Sequence, residues 1–331
     1  MAILRKINSK VKPEINTGFG VNSSDYGGRF VNKDGRANIE KKGIGFFEKI
    51  SWYHTMLLMP RWKFFSVIIL FYIVTNLFFG TLYFINGVNN LGGMTSTTPL
   101  SNFAEAFFFS CQTFTTVGYG RINPVSFSAS AIAALEALLG LLSLALATGL
   151  LYGRFSKPVA HLRFSEHALI APYKDINAVM VRVAPYKNTN LIDAEAKLTL
   201  GLSVAEDGKN INRFYQLDLE YHKVNSLTLS WTIVHPITEK SPLYNFTKED
   251  FENMKGEFIV FVKAFDDLFS NIVVGVSSYT FNEVKHGAKF VPMYERAQSG
   301  DKTIIYIDKL SEHVPATVNN VVIPEEVQPL A

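Results

Sequence analysis

The chain has 331 residues, long enough for two domains, with 48% hydrophobic residues, 18% charged residues and a formal net charge of +3. That balance is not the strongly basic one of a nucleic-acid binder, so no nucleic-acid partner is expected. A single cysteine, Cys111, excludes both a disulfide framework and a Cys-x-x-Cys zinc site.

In chain order, residues 1–42 are polar, rich in Gly, Asn and Lys, and without a sustained period, which predicts an extended or partly disordered arm. Over 43–59 the pattern changes. In GIGFFEKISWYHTMLL, Phe46, Ile50, Tyr53 and Leu57 recur at helical spacing, with Glu48, Ser51 and Thr55 turned away. That is an amphipathic helix, suited to a membrane surface or to a soluble core. Pro60 ends it.

Residues 60–157 read as a membrane domain. Phe64–Ile85 runs 22 residues without an acidic or basic side chain. At about 33 Å of helix it is long enough to cross a bilayer, giving an outer helix over 62–86. A second apolar run, Val125–Tyr152, holds Glu136 as its one charge and gives an inner helix over 125–154. Its length of about 42 Å requires it to tilt or protrude. Between the two, FAEAFFFSCQTF (103–114) is apolar but too short to span, and it leads into TTVGYG at 115–120. A short helix followed by glycines at membrane depth is the pattern of a re-entrant loop. Arg61 and Lys63 precede the first span, and Arg154, Lys157 and Arg163 follow the second. Arg121 is the only basic residue between them, so both termini are expected in the cytoplasm.

Residues 158–313 read as β. YQLDLEYH alternates Tyr215, Leu217, Leu219 and Tyr221 with polar residues, as a half-buried strand does. AVMVRV, AKLTLGL, LTLSWTIV, EFIVFVKAF, NIVVGVSSY and KTIIYID are further short runs, separated by turn-rich segments. Such spacing predicts an immunoglobulin-like β-sandwich. One helix is expected at 247–254, where Thr247 and Asp250 supply a cap. The tail, 314–331, reads as loose.

Non-helical backbone inside a bilayer must bury its carbonyls or aim them at something polar. Glycines alternating with side-chain residues in Thr116-Val117-Gly118-Tyr119-Gly120 let successive carbonyls point one way and replace the hydration shell of a cation. One such strand cannot surround an ion and two spans cannot enclose a pore, so several copies must share an axis.

TTVGYG after a short helix resembles the selectivity filter of potassium channels. YHTMLLMPRWKFF resembles the slide helix and outer-helix start of inward-rectifier (Kir) channels, ALATGLLYGRFSKP the end of their inner helix, and LRFSEHALIAPY the opening of their cytoplasmic β domain. NIVVGVSSY is similar to the segment after their cytoplasmic pore loop. The resemblance runs over about residues 40–310 and is to the prokaryotic (KirBac-like) branch. Eukaryotic members carry a pair of extracellular cysteines around the filter, whereas Cys111 lies in the pore helix. It implies a homotetrameric, multi-pass potassium channel of the cell membrane, in a prokaryotic inner membrane, with no enzymatic activity and no cofactor besides the permeant K+. It also implies the potassium-transport, inward-rectifier and voltage-gated channel classes. Anionic lipid such as phosphoinositide, and polyamine, Mg2+ or Ba2+ as blockers, are the implied partners.

The resemblance assigns residues as well. Thr115, Thr116, Val117, Gly118, Tyr119 and Gly120 match the filter, with K+ at Thr116 through Tyr119. Glu136, Leu144 and Thr148 match the cavity stretch of the inner helix. Glu136 either faces water there or bonds behind the filter. Leu144 stands where strong rectifiers carry an acid, which implies weak rectification. Tyr152 matches the bundle-crossing gate, or is an interfacial aromatic. Gly149, like Gly140 and Gly153, is either a hinge or a packing point. Phe265, Asp266, Asp267, Phe269 and Ser270 match the cytoplasmic loop gate, where relatives use a glycine near Ser270. Asp266 and Asp267 either draw cations or form a solvated turn. Arg61, Trp62, Lys63, Arg154 and Lys157 bracket the inner leaflet as anchors or as a headgroup site. A reading from another class, a membrane-anchored β-domain sensor or scaffold, makes the glycine loop a tether turn.

Overall fold

A computed structural model describes residues 7–8, 11–14, 29–43, 45, 51–206 and 209–319. They form two compact units, Lys42–Lys157 and the described parts of Met1–Lys41 with Pro158–Ala331.

The first unit is helical. α1 is Trp52–Leu58, α2 Arg61–Asn86, α3 Pro99–Phe114 and α4 Phe127–Phe155. Of the amphipathic helix expected over 43–59, only α1 is seen: residues 43 and 45 are not helical, and 44 and 46–50, Phe46 and Glu48 among them, lie outside the described residues. Pro60 separates α1 from α2 because its missing N–H and fixed φ suit a helix start. α2 and α4 leave Ile69, Leu70, Val74, Leu135, Leu142 and many other apolar side chains uncovered. Contiguous apolar surface of this kind on helices of 26 and 29 residues fits lipid, not water.

α3 begins four residues before the expected position. Thr98 caps it, its side chain accepting from the Ser101 N–H, and Pro99 occupies the first turn. The apolar run alone starts at Phe103 and hides that cap. Ser126 caps α4 in the same way, accepting from the Ala129 N–H at 3.2 Å. Two-residue strands β1 (Leu91–Gly92) and β2 (Asn123–Pro124) pair and close the segment between the spans. Phe79, Tyr83, Ala106, Phe109, Ile122 and Ala129 pack around this closure.

The second unit is a β-sandwich. Its two main sheets are built from β3 (Leu162–Phe164), β4 (Ala168–Tyr173), β5 (Ile176–Pro185), β6 (Leu191–Glu206), β7 (Lys209–Leu217), β8 (Lys223–Ser226), β9 (Trp231–Pro236), β10 (Gly256–Asp266), β11 (Asn271–Thr280) and β12 (Val284–His286), and short two-stranded ribbons follow over 288–315. One sheet runs β11-β10-β6-β7 with β8 beside β6, and the other β12-β4-β5-β3 with β9 beside β5. Val179, Val181, Leu198, Leu200 and Val260, from both sheets, share one core. The strand expected over 215–222 stops at Leu217. There the chain leaves its sheet, and the Glu220 N–H donates to the Val234 carbonyl of β9 in the other. In LTLSWTIV only Trp231 onward is strand, and in KTIIYID a 3₁₀ turn begins at Ile307. α5 (Lys248–Asn253) forms as expected, with a Thr247–Asp250 capping box.

Two segments expected to be loose are docked. In the arm, Val31 bridges Ala37 across a turn at Gly35. The Phe30 and Val31 N–H groups donate to the buried Glu257 carboxylate, and the Ser278 hydroxyl donates to the Val31 carbonyl. Gly35 lies so close to β11 that a β-carbon there would be 2.8 Å from the Val276 oxygen, and its φ is +80°. At the other end, the Ala316 N–H donates to the Gly287 carbonyl, and Asn319 bonds Asn177. The tail from 320 onward lies outside the described residues.

Candidate functional site: a glycine-rich loop and its supports

Residues 115–120 fold back onto the last turn of α3. The N–H groups of Val117 and Gly118 both donate to the Gln112 carbonyl, at 3.0 and 3.3 Å, and Thr116 N–H donates to Thr113 at 3.0 Å. The backbone φ is positive at Thr116 (59°), Gly118 (52°) and Gly120 (84°), every second residue. Alternation of this kind turns successive carbonyls to one side, the arrangement that coordinates a desolvated cation. Glycine adopts it freely; at the β-branched Thr116 it costs on the order of 1–3 kcal/mol, a strain the surroundings must hold. All six residues are exposed in the single chain, so its own helices do not enclose them.

Three supports hold the loop. At its base, α4 passes so close to α3 that a β-carbon on Gly140 would be 2.0 Å from the Phe114 oxygen. Gly140 is therefore a packing point. Behind it, Glu136 is fully buried. The Tyr83 hydroxyl of α2 donates to its carboxylate at 2.6 Å, and so does the Ser110 hydroxyl of α3, which is also 3.0 Å from Asn76 Oδ1. Of the two places open to Glu136, the chain uses the one behind the loop: its carboxylate is satisfied within the helix packing, not in a water-filled cavity.

The third support is a pair absent from the sequence reading. Glu105, on the second turn of α3, accepts from the Thr95 N–H and hydroxyl at 3.0 Å each and from Arg121 Nη1 at 3.0 Å. Arg121 directly follows Gly120. Glu105 and Arg121 are the only charged residues between the spans, and they have opposite signs. That was the available signal.

Further along α4, Leu144, Thr148 and Tyr152 fall on one face at four-residue spacing, and all three are exposed. The Thr148 hydroxyl donates to the Leu144 carbonyl at 2.8 Å. No atom lies within 4 Å of a β-carbon built on Gly149, whereas one on Gly153 would meet Leu57 and Tyr53 of α1 at 3.2 and 3.3 Å.

Arg61, Trp62, Lys63 and Lys157 are exposed, with the Lys63 ammonium 5.3 Å from the Trp62 ring centre. Arg154 differs. Its guanidinium donates to the carbonyls of Met56 (2.6 Å), Leu57 (3.3 Å) and Met59 (2.8 Å) at the end of α1, and stacks on Phe64 at 4.6 Å.

In the β unit, the loop joining β10 and β11 separates the two aspartates, for which cation attraction or a solvated turn was expected. Asp266 is buried, one oxygen accepting from the Leu268 N–H at 3.0 Å, so it holds the turn from inside. Asp267 is exposed, as is much of Phe265; Phe269 is half-buried. Ser270 takes φ +46°, a left-handed conformation for which glycine is the unstrained residue. Among the described residues no cluster of three or more His, Cys, Asp or Glu could hold a metal ion.

Comparison with known proteins gives a consistent result. Residues 162–326 match the family described as inward rectifier potassium channel C-terminal domain, and residues 67–157 the family described as ion channel. The inward rectifier potassium channel Kirbac3.1 of Paramagnetospirillum magnetotacticum is 32% identical over 281 residues, 83% of this chain and 92% of that one. The G protein-activated inward rectifier potassium channel 2 is 25% identical in Pongo abelii and 26% in Mus musculus, each over 80% of this chain and 67% of the relative. These families and relatives are ion channels, not enzymes. None is described as voltage-gated, and neither described span carries the row of basic residues a voltage sensor needs, so that expectation is dropped.

Proposed function

Since this chain belongs to the inward-rectifier potassium channel family, we propose that four copies assemble around the 115–120 loop and conduct K+ through it. The observation carrying this is the left-handed backbone at every second residue, Thr116, Gly118 and Gly120. Four such strands would ring the axis with carbonyls, K+ being held at Thr116, Val117, Gly118 and Tyr119. Their exposure in the single chain is what a fourfold assembly would cover.

Leu144, Thr148 and Tyr152 line the proposed path below the filter. Four tyrosines at the cytoplasmic end of α4 form the gate by excluding water, and Gly149, free of neighbours in its own chain, is where the helix can bend. The β10–β11 loop, Phe265 to Ser270, is a second constriction, with Asp267 facing cations. Arg61, Trp62, Lys63 and Lys157 take anionic headgroups such as phosphoinositide at the inner leaflet. Both termini lie in the cytoplasm of a prokaryotic cell. Leu144 offers a polyamine or Mg2+ no Coulomb attraction, so rectification is weak.

The test is K+ flux from the purified protein in liposomes, with and without phosphoinositide. A K+-selective flux stopped by Ba2+ is the expected result. No flux in any lipid, or equal Na+ flux, overturns the proposal.

A further inference from the structure

We propose that Arg154 is not a lipid ligand but a positioning residue that locks the gate end of the inner helix to the interfacial helix α1. The inference rests on Tyr152 as the gate. Arg154 is two residues beyond Tyr152, and its guanidinium reaches the carbonyls of Met56, Leu57 and Met59. A helix end leaves its last carbonyls without partners, and α1 has no basic residue in its own last turn. Arg154 supplies that cation from another helix, with favourable charge against the dipole. Its guanidinium carbon lies over the ring of Phe64, itself buried at the start of α2, so three helices converge on one side chain. The neighbouring residue lies in the same contact: a β-carbon on Gly153 would crowd the side-chain ends of Leu57 and Tyr53, at 3.2 and 3.3 Å.

Three of the five guanidinium donors are directed at carbonyls, so the side chain is committed first to the helix contact, with two donors left for any other partner. Arg61, Lys63 and Lys157, exposed and without a carbonyl partner among the described residues, are placed differently. Any displacement of the inner-helix end at Tyr152 must therefore carry α1 with it or break these bonds.

The experiment compares Arg154→Lys, Arg154→Gln and Gly153→Ala in the full-length protein. Open probability is read in planar bilayers, and binding is measured to phosphatidylcholine vesicles with and without phosphatidylinositol bisphosphate. Lysine keeps the charge but cannot span three carbonyls. Arg154→Lys is expected to shift the open–closed equilibrium about tenfold, the scale of lost charge-assisted hydrogen bonds, with vesicle binding unchanged. Gly153→Ala, which crowds the Leu57 and Tyr53 side chains without touching charge, is expected to shift it in the same sense. Wild-type gating in Arg154→Lys, or vesicle binding lost in Arg154→Gln and kept in Arg154→Lys, overturns the inference while leaving the channel intact. Should Arg154→Gln not assemble, the other two variants decide. Absence of K+ flux in the wild type sinks the channel reading, and this one with it.

Discussion

Arg121, the residue after the last glycine of the 115–120 loop, is bonded to Glu105 at 3.0 Å, and Glu105 in turn holds both the N–H and the hydroxyl of Thr95. The outer end of the loop is thus tied to α3 and to the segment that follows α2. The ion pair is partly exposed and by itself contributes little. Neutralising Glu105 removes the partner of the Arg121 cation beside the 115–120 loop and weakens the bonds to Thr95. Glu105→Gln is expected to cost about 1 kcal/mol and to lower the K+ to Na+ flux ratio. Parallel Rb+ and Na+ uptake into liposomes measures it; an unchanged ratio leaves the pair structurally idle.

Gly140 and Gly149 lie on one helix and have opposite surroundings. A methyl group at 140 collides with backbone, the Phe114 carbonyl, while one at 149 meets nothing in its own chain. Gly140→Ala must push α3 and the loop it carries, so a cost of about 3 kcal/mol or more and loss of flux are expected. Gly149→Ala gains helix propensity of about 1 kcal/mol and leaves the filter alone. Thermal unfolding in detergent together with flux separates them. Equal tolerance of both substitutions contradicts the close approach at Gly140.

The backbone of the 115–120 loop was legible because glycines at alternate positions point to a left-handed conformation directly. Two spans and a sandwich were legible from period and length. Partners across helices were not: Glu136 meets Tyr83 and Ser110, which are 53 and 26 residues away in the chain. Nothing local distinguishes a buried, bonded carboxylate from one facing a cavity. The three carbonyl partners of Arg154 were hidden for a related reason, since backbone acceptors have no side-chain signature. The arm at 29–38 docks largely through backbone groups on Glu257, Ser277 and Ser278, so its polar, aperiodic sequence read as disorder.

Leu144 and Tyr152 share a face of α4, and their substitutions should separate block from gating. Leu144→Glu places a carboxylate on the proposed path in each of four subunits, and spermine applied from the cytoplasmic side should then block steeply with voltage. At ordinary ionic strength about tenfold tighter block is expected. Tyr152→Ala should raise open probability and leave the spermine sensitivity of the wild type unaltered. Patch recordings of the three proteins decide; steep block in the wild type counts against weak rectification, and unchanged flux in Tyr152→Ala counts against the gate.

His235 makes the β unit sensitive to acid. It is buried on β9, its Nδ1 at 2.6 Å from the Asp218 carbonyl and its Nε2 at 2.8 Å from the Ser241 hydroxyl. The ring therefore donates from Nδ1 and accepts at Nε2, which fixes the neutral tautomer. Burial, the main cause, pushes its pKa below the usual histidine value, against a smaller opposing effect from the Asp218 carbonyl. His161, His167 and His286 are shifted the same way, again chiefly by burial. The unfolded chain takes up a proton near pH 6.5 and the folded one does not, so acid favours unfolding. Stability is complete above about pH 6.5 and falls below it, by up to about 1.4 kcal/mol per pH unit for the buried His235 and by much less for the more exposed histidines, until the folded ring titrates. Thermal unfolding of the purified protein between pH 5 and pH 8 should show that decline. His235→Gln, which keeps a polar side chain without a titrating ring, should flatten it, and an equally steep decline in the variant would assign the effect to the other histidines.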